Sequence, residues 1–216
     1  MSASKDLAKS GEFVFIKTNS GIKFIGKFDD LYMNMKDPWG QMEDDQYRQR
    51  RMTILKNLSH LNPASVLDVG CGLGHTTQAI KILITKDTWG ADISKVAVNR
   101  AKKLFPDVTF KQLDISKKFL PRAFDVVVLD GILWYILKDL DKIFEIIRHN
   151  LSYSGHLVIS QAFIKDQQYG KEFIDGYEGF IKYIYQHFSL YKLIKTEYFD
   201  IGERKTESIT ILQKRE

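Results

Sequence analysis

VLDVGCGLGHTT, residues 66–77, places three glycines, Gly70, Gly72 and Gly74, at alternate positions behind a short apolar run that carries one acid, Asp68. A loop that gives up its side chains makes room for something against its backbone. The residues in front, SVLDV (65–69), read as a buried strand, and those behind, HTTQAIKILI (75–84), read as a helix. Strand, glycine turn and helix together form a nucleotide cradle, because missing Cβ atoms let a ligand approach and the first helical amides point at it. Dinucleotide cradles favour Gly-x-Gly-x-x-Gly. Here His75 stands at the third glycine's place and the unit begins only at residue 65, so both points weaken a dinucleotide reading.

Downstream of this stretch, greasy strands alternate with amphipathic helices. TWGADI (88–93), VTFKQLDI (108–115), FDVVVLDG (124–131) and SGHLVISQAF (154–163) read as strands. KVAVNRAKKLF (95–105) and DLDKIFEIIRHNL (139–151) read as helices. The run at 124–131 is almost continuously apolar, as a strand covered on both faces should be. Repeated β-α-β predicts a parallel sheet with helices on both sides. A helix near 170–187 is followed by SLYKLIKTEYF (189–199) and ESITILQKR (207–215), which can close as an antiparallel pair. Upstream, FVFIKTNSGIKFIGKF (13–28) reads as a hairpin turning at Asn19-Ser20-Gly21. FDDLYMNMKDPWGQ (28–41) reads as irregular, and EDDQYRQRRMTILKNLSHL (43–61) as a helix with acids in its first turn. The expected fold is α/β: a Rossmann-like, doubly wound, mainly parallel sheet with an antiparallel C-terminal pair. Residues 1–60 form a hairpin and cap helix on a core domain of residues 61–216.

The composition narrows the field. A chain of 216 residues, 44% hydrophobic, can bury one continuous core. The single cysteine, Cys71, leaves no intramolecular disulfide and suits a reducing compartment. The polar start MSASKDLAKSGE lacks a signal peptide's apolar stretch, and Asp125 and Asp130 interrupt the greasiest window. We therefore expect a cytoplasmic protein with no membrane span. The net charge of +5 is spread over short groups, RQRR (48–51) and two Lys-Lys pairs at 102–103 and 117–118, which reads as solvated surface rather than a nucleic-acid footprint.

VLDVGCGLG resembles the first motif of class I S-adenosylmethionine-dependent methyltransferases, and the later motifs follow in order. ADIS supplies Asp92, which in that family accepts the ribose hydroxyls, as a carboxylate with two acceptor oxygens can. QLDI supplies Asp114 at the family's adenine-amino position, and LSYSGHLVIS resembles the fifth strand while keeping its turn glycine, Gly155. The likeness covers 65–163. DPWGQMEDDQYRQRRMTILKNL and LDGILWYILKD together are also similar, in part, to the nodulation N-methyltransferases, which methylate an amino sugar of an oligosaccharide. The cofactor implied is S-adenosyl-L-methionine, with S-adenosyl-L-homocysteine as product. No metal is implied. The acceptor implied is a small molecule, with a sugar or saccharide as one candidate, for a monomer or homodimer.

The resemblance assigns Asp68 to the turn and the methionine amino group, and Gly70, Gly72 and Gly74 to the cofactor. Cys71 fills a slot there that takes small residues, and no His/Asp pairing marks it as a nucleophile. Ile93, Ile115 and Leu129 border the adenine or serve as core. Tyr47 and Arg51, four apart on one helix face, can cover the cofactor and pair with its carboxylate, with Arg50 as a rival. Trp39, Trp134, Tyr135 and Tyr169 are candidates for the acceptor. Tyr183 and Tyr185, off the apolar stripe of the C-terminal helix, can pave the same pocket. Methyl transfer is an in-line displacement that mainly needs positioning. A hydroxyl acceptor gains from a general base, for which Asp130, His75 and His156 are the candidates. Two other readings compete. An RNA or protein methyltransferase fits the positive charge, but the loop after the fourth strand lacks an Asn/Asp-Pro-Pro-Tyr-like motif. A non-catalytic scaffold on the same fold would fail to bind S-adenosylhomocysteine.

Overall fold

The computed structural model describes residues 11–19, 21–42, 45–118, 120–186, 189–201 and 205–215. The polar start at 1–10, the first two positions of the helix expected at 43–61 and the last of the one expected at 170–187 lie outside the described residues. The opening stretch is β3 (Ser65–Val69), buried at every position, followed by α3 (His75–Leu83). Upstream lie the hairpin β1 (Phe15–Thr18) and β2 (Gly21–Phe24), then α1 (Phe28–Asn34) and α2 (Asp45–Leu61). Downstream come β4 (Asp87–Asp92), α4 (Lys95–Leu104), β5 (Thr109–Gln112) and β6 (Phe124–Asp130). They are followed by the single turn α5 (Leu133–Ile136), then α6 (Leu140–Asn150), β7 (Leu151–Ile164), α7 (Gly176–Gln186), β8 (Tyr191–Ile201) and β9 (Lys205–Lys214).

Seven strands form one sheet in the order β5-β4-β3-β6-β7-β9-β8. The first five pair in parallel, and β9 joins β7 and β8 antiparallel. Strand alternation explains both layers. Leu67, Val127, Leu129, Leu157 and Ile159 meet α6 and α7 on one face, through Phe144 and Phe180. Val66, Val126, Val128 and Val158 meet Ile54, Leu58 and Ile80 of α2 and α3 on the other. The chain leaves β3 toward β4 and β5, then returns to β3's other side as β6. The crevice at the strands' C-terminal ends beside β3 and β6 is thus a topological switch point, where open α/β sheets bind ligands.

Two segments depart from the sequence expectation. Residues 28–41 are not irregular throughout, since α1 occupies 28–34. Its C-terminal carbonyls are held by α4: Arg100 donates to the carbonyls of Tyr32 and Met35 at 2.8 Å each, and to that of Lys36. At the other end, Asp29 accepts from the Ser94 hydroxyl (2.6 Å) and the Val96 amide (3.1 Å) at the start of α4. The third core strand is also shorter than 108–115. It stops at Gln112 because the Leu113 amide turns to the Asp92 carbonyl (2.8 Å).

Candidate active site

The glycine loop is locked before any ligand is considered. The Gly70 and Cys71 amides both donate to the Ala91 carbonyl, at 2.7 and 3.0 Å. Gly74 has φ +84°, and a Cβ there would lie 2.5 Å from the Phe110 ring, which is itself fully buried. Left-handed strain and overpacking therefore add. We expect Gly74→Ala to cost about 2 kcal/mol or more in urea unfolding. A change below about 0.5 kcal/mol would show that the ring gives way. Gly70 (φ +74°) is bare for a different reason: it forms part of a cavity wall, and a Cβ would strike Ile132 at 2.4 Å.

Two acids fix the loop's ends. Asp92, buried at the tip of β4, accepts from the Gly72 amide at 2.9 Å and the Ser94 amide at 2.8 Å. Burial pushes its carboxyl up to about 6, although the two amides pull it back. Asp68 accepts from the Thr77 hydroxyl at 2.6 Å. Burial pushes it up to about 7, against the pull of Thr77. Burial also raises the Cys71 thiol well above its ordinary range, so it is not poised as a thiolate nucleophile. Among the described residues no group of three His, Cys, Asp or Glu side chains is arranged to hold a metal.

A cavity of about 300 Å³ opens from this loop. One wall is Val69, Gly70, Asp92 and Ile93, and a second is Leu113, Asp114, Ile115 and Ser116. A third is the loop after β6, with Asp130, Ile132 and Tyr135, and the roof comes from upstream, with Phe24, Phe28, Tyr32, Trp39, Gln41 and Tyr47. Burial pushes Asp114 up, but the Lys117 ammonium (2.7 Å) and Ser116 outweigh it and hold it below the usual carboxylate range. Burial raises Asp130, while Arg50 at 3.5 Å opposes that rise. Its Oδ1 has no hydrogen-bond partner.

Of the residues singled out in the sequence, Gly70, Asp92, Ile93, Asp114, Ile115, Asp130, Tyr47, Trp39 and Tyr135 therefore share one cavity. Others lie behind its walls. Leu129 is fully buried in the core. Arg51 donates to the Gln41 carbonyl at 2.6 Å, and its buried Nε has no partner. His75 packs edge-on against Phe105, outside the cavity lining, and burial lowers its pKa. His156 sits opposite Val126 on β7, four residues before the cavity end of the strand at Ser160. Trp134 packs on Phe163 and donates to the Ala162 carbonyl at 3.1 Å, and Tyr169 meets Phe15. Tyr183 donates to Asp141 and meets Phe144 edge-on, while Tyr185 is exposed. Sequence reasoning missed the roof residues Phe24, Phe28, Tyr32 and Gln41. One local signal existed, in the Asp37-Pro38-Trp39-Gly40 turn, where Asp37 accepts from the amides of Gln41 (3.0 Å) and Met42 (2.9 Å). The Trp39 indole then donates to the Tyr32 hydroxyl at 3.0 Å.

A glycine cradle after the first core strand, acids after the next two, and a sheet of this order define the class I S-adenosylmethionine-dependent methyltransferase fold. A family model described as "Methyltransferase domain" matches residues 62–207, and the chain belongs to that family. The chain is 30% identical over 91 residues to the putative methyltransferase 235L of Invertebrate iridescent virus 6, a match over 42% of this chain and 34% of that protein. It thus spans about a third of that relative's length. Among solved structures, N-methyltransferase NodS from Bradyrhizobium japonicum WM9, in complex with S-adenosyl-L-homocysteine, aligns with a TM-score of 0.71 at 18% identity, over 88% of this chain and 98% of that one. The PH0226 protein of Pyrococcus horikoshii OT3 aligns with a TM-score of 0.67 at 16% identity, over 85% of this chain and 98% of that one. These likenesses are of fold. Among the described residues no helix is long and apolar enough to cross a membrane.

Proposed function

We propose that this chain transfers the methyl group of S-adenosylmethionine to an amino or hydroxyl group of a small molecule, of the size of a sugar or similar metabolite. The observation that carries this reading is one cavity running from the glycine loop to Asp130 at the end of β6 and Tyr135 in α5. The residues fit the donor. Gly70 brings bare backbone into the cavity wall, with the Ile132 side chain packed where a Cβ would stand. Asp92 suits a pair of ribose hydroxyls, Ile93, Leu113 and Ile115 suit a flat base, and Asp114 suits its amino group. Arg51, behind the wall and bonded to the Gln41 carbonyl, adds positive charge on the side of the glycine loop. When bound, the donor supplies an electrophilic methyl group on a sulfonium sulfur. The protein's part is to align an acceptor and exclude water, and Asp130 is the residue at the β6 end that can take a proton. The modest volume, roofed by the N-terminal segment, supports a small acceptor over RNA or protein.

Calorimetric titration with S-adenosylhomocysteine tests the cofactor reading. Binding should strengthen from pH 5.5 to 8 and then level off. Asp68 and Asp92 titrate near 7 and 6 without ligand. A ligand ammonium and hydroxyl pair favour the ionised forms, so binding releases protons and affinity rises with pH through that window. Absence of binding, or affinity that falls as pH rises, would count against the assignment.

A further inference from the structure

The acceptor half of the cavity has its own chemistry. Among the described residues four carboxylates line the whole cavity, Asp92, Asp114, Asp130 and Asp139, and no Lys or Arg does. Asp92 and Asp114 belong to the donor side on the reading above. Asp130 and Asp139 remain, and Asp130, at the end of β6, has a side chain 11% exposed, an Oδ1 without a hydrogen-bond partner, and the Arg50 guanidinium 3.5 Å away, outside the lining. The same cavity carries a wall of rings. Tyr135 is the hub, with ring centroids 6.0 Å from Phe24, 5.3 Å from Phe28 and 5.9 Å from Trp39. All four rings line the cavity. The Trp39 indole N–H is already used on Tyr32.

We infer that the acceptor is a small amine with an apolar or aromatic body, held as a cation between Asp130 and the faces of Phe24, Phe28, Trp39 and Tyr135. Aromatic faces attract cations and repel anions through the ring quadrupole. A carboxylate or phosphate acceptor would meet Asp130 with no cation in the lining to answer it. A hydroxyl-rich sugar would turn its hydroxyls onto phenyl faces, where they lose water without gaining partners. The chemistry balances. An arriving ammonium gives one proton to Asp130, or through it to water, freeing the nitrogen lone pair. That pair forms the new N–C bond as the S–C bond breaks, its electrons passing to sulfur to leave the neutral thioether. Burial raises the Asp130 carboxyl, in the direction a proton acceptor for an amine needs.

This inference rests on the methyltransferase reading, and its test separates the two. The full chain is saturated with S-adenosylhomocysteine and titrated at pH 7.5 with four probes: 2-phenylethylamine, 2-phenylethanol, phenylacetate and glucosamine. The first three share a ring and differ in the head group, and the fourth is an amine on a sugar body. We expect 2-phenylethylamine to bind at least tenfold tighter than each of the others. Phe28→Leu should cut that preference severalfold and leave the affinity for S-adenosylhomocysteine within twofold. Equal or tighter binding of the alcohol, the carboxylate or glucosamine would overturn the proposal. So would binding of no probe by protein that does bind S-adenosylhomocysteine. Failure to bind S-adenosylhomocysteine at all is the distinct result that removes the methyltransferase reading beneath it.

Discussion

Asp92→Ala should weaken S-adenosylhomocysteine binding about 100-fold, close to 2.7 kcal/mol, while the protein stays folded. The carboxylate bridges two elements the ligand needs. One oxygen accepts from the Gly72 amide in the glycine loop, and the other from the Ser94 amide at the start of α4. Alanine removes both charge-assisted bonds and the acceptor offered to the ribose, each with a net worth of about 1.5–3 kcal/mol. The fold should survive, because β4 keeps its ladders to β3 and β5 and burial of the charge already works against Asp92. Asp92→Asn keeps one side-chain oxygen and gives an intermediate loss. Calorimetry on both variants, with circular dichroism to confirm folding, makes the comparison. Unchanged affinity in folded Asp92→Ala would break the assignment of the glycine cradle to S-adenosylmethionine.

The elements that were legible in the sequence are those whose stability is written locally. β3 has the bounds read from SVLDV, because a strand buried at every position is mostly apolar and the glycine loop marks where it ends. The C-terminal pair closes antiparallel, β8 on β9, as expected for the runs at 189–199 and 207–215. Helix α1 was not legible. Only Leu31 and Tyr32 of its seven residues are buried, and its end is held by Arg100 from a later helix. Its acid Asp29 accepts from Ser94 and Val96 of that later segment. The site divides in the same way. Asp92 and Asp114 are found by counting, since each follows a core strand and the parallel register brings those ends together. The aromatic roof is not countable, because Phe24 and Phe28 reach Tyr135 only once the hairpin folds across the sheet's end. His156 shows how much register matters. It lies opposite Val126, whereas the cavity begins opposite Asp130, four residues or roughly 13 Å farther along the strand.

Arg50→Met should destabilise the protein by about 3–5 kcal/mol at pH 8, and by clearly less at pH 5. Arg50 is nearly enclosed, with 12% of its side chain exposed. It gives Nε and Nη2 to the two oxygens of Glu207, at 3.2 and 3.0 Å, and places Nη1 3.5 Å from Asp130. It also lies over the Tyr47 ring, 5.1 Å from the centroid. Methionine fills a similar volume but leaves Asp130 without its cation and Glu207 with Lys205 alone, at 2.9 Å. An unpaired buried carboxylate protonates rather than stay charged, so the folded pKa values of both acids rise in the variant. A raised folded carboxylate contributes stability that is present below the unfolded pKa, and is lost as pH rises through the folded one. The deficit against wild type therefore widens from acid to alkaline pH. The double variant Arg50→Met with Glu207→Gln should recover part of the loss, since it removes one stranded charge. Urea unfolding at both pH values is the measurement. A deficit below 1 kcal/mol, flat with pH, would mean that water screens this network as it does a surface ion pair. A deficit that follows the expected slope would place Arg50 as the positioning residue that holds Asp130 at the end of β6 and Tyr47 at the roof, linking the sheet's packing to the geometry of the proposed acceptor site.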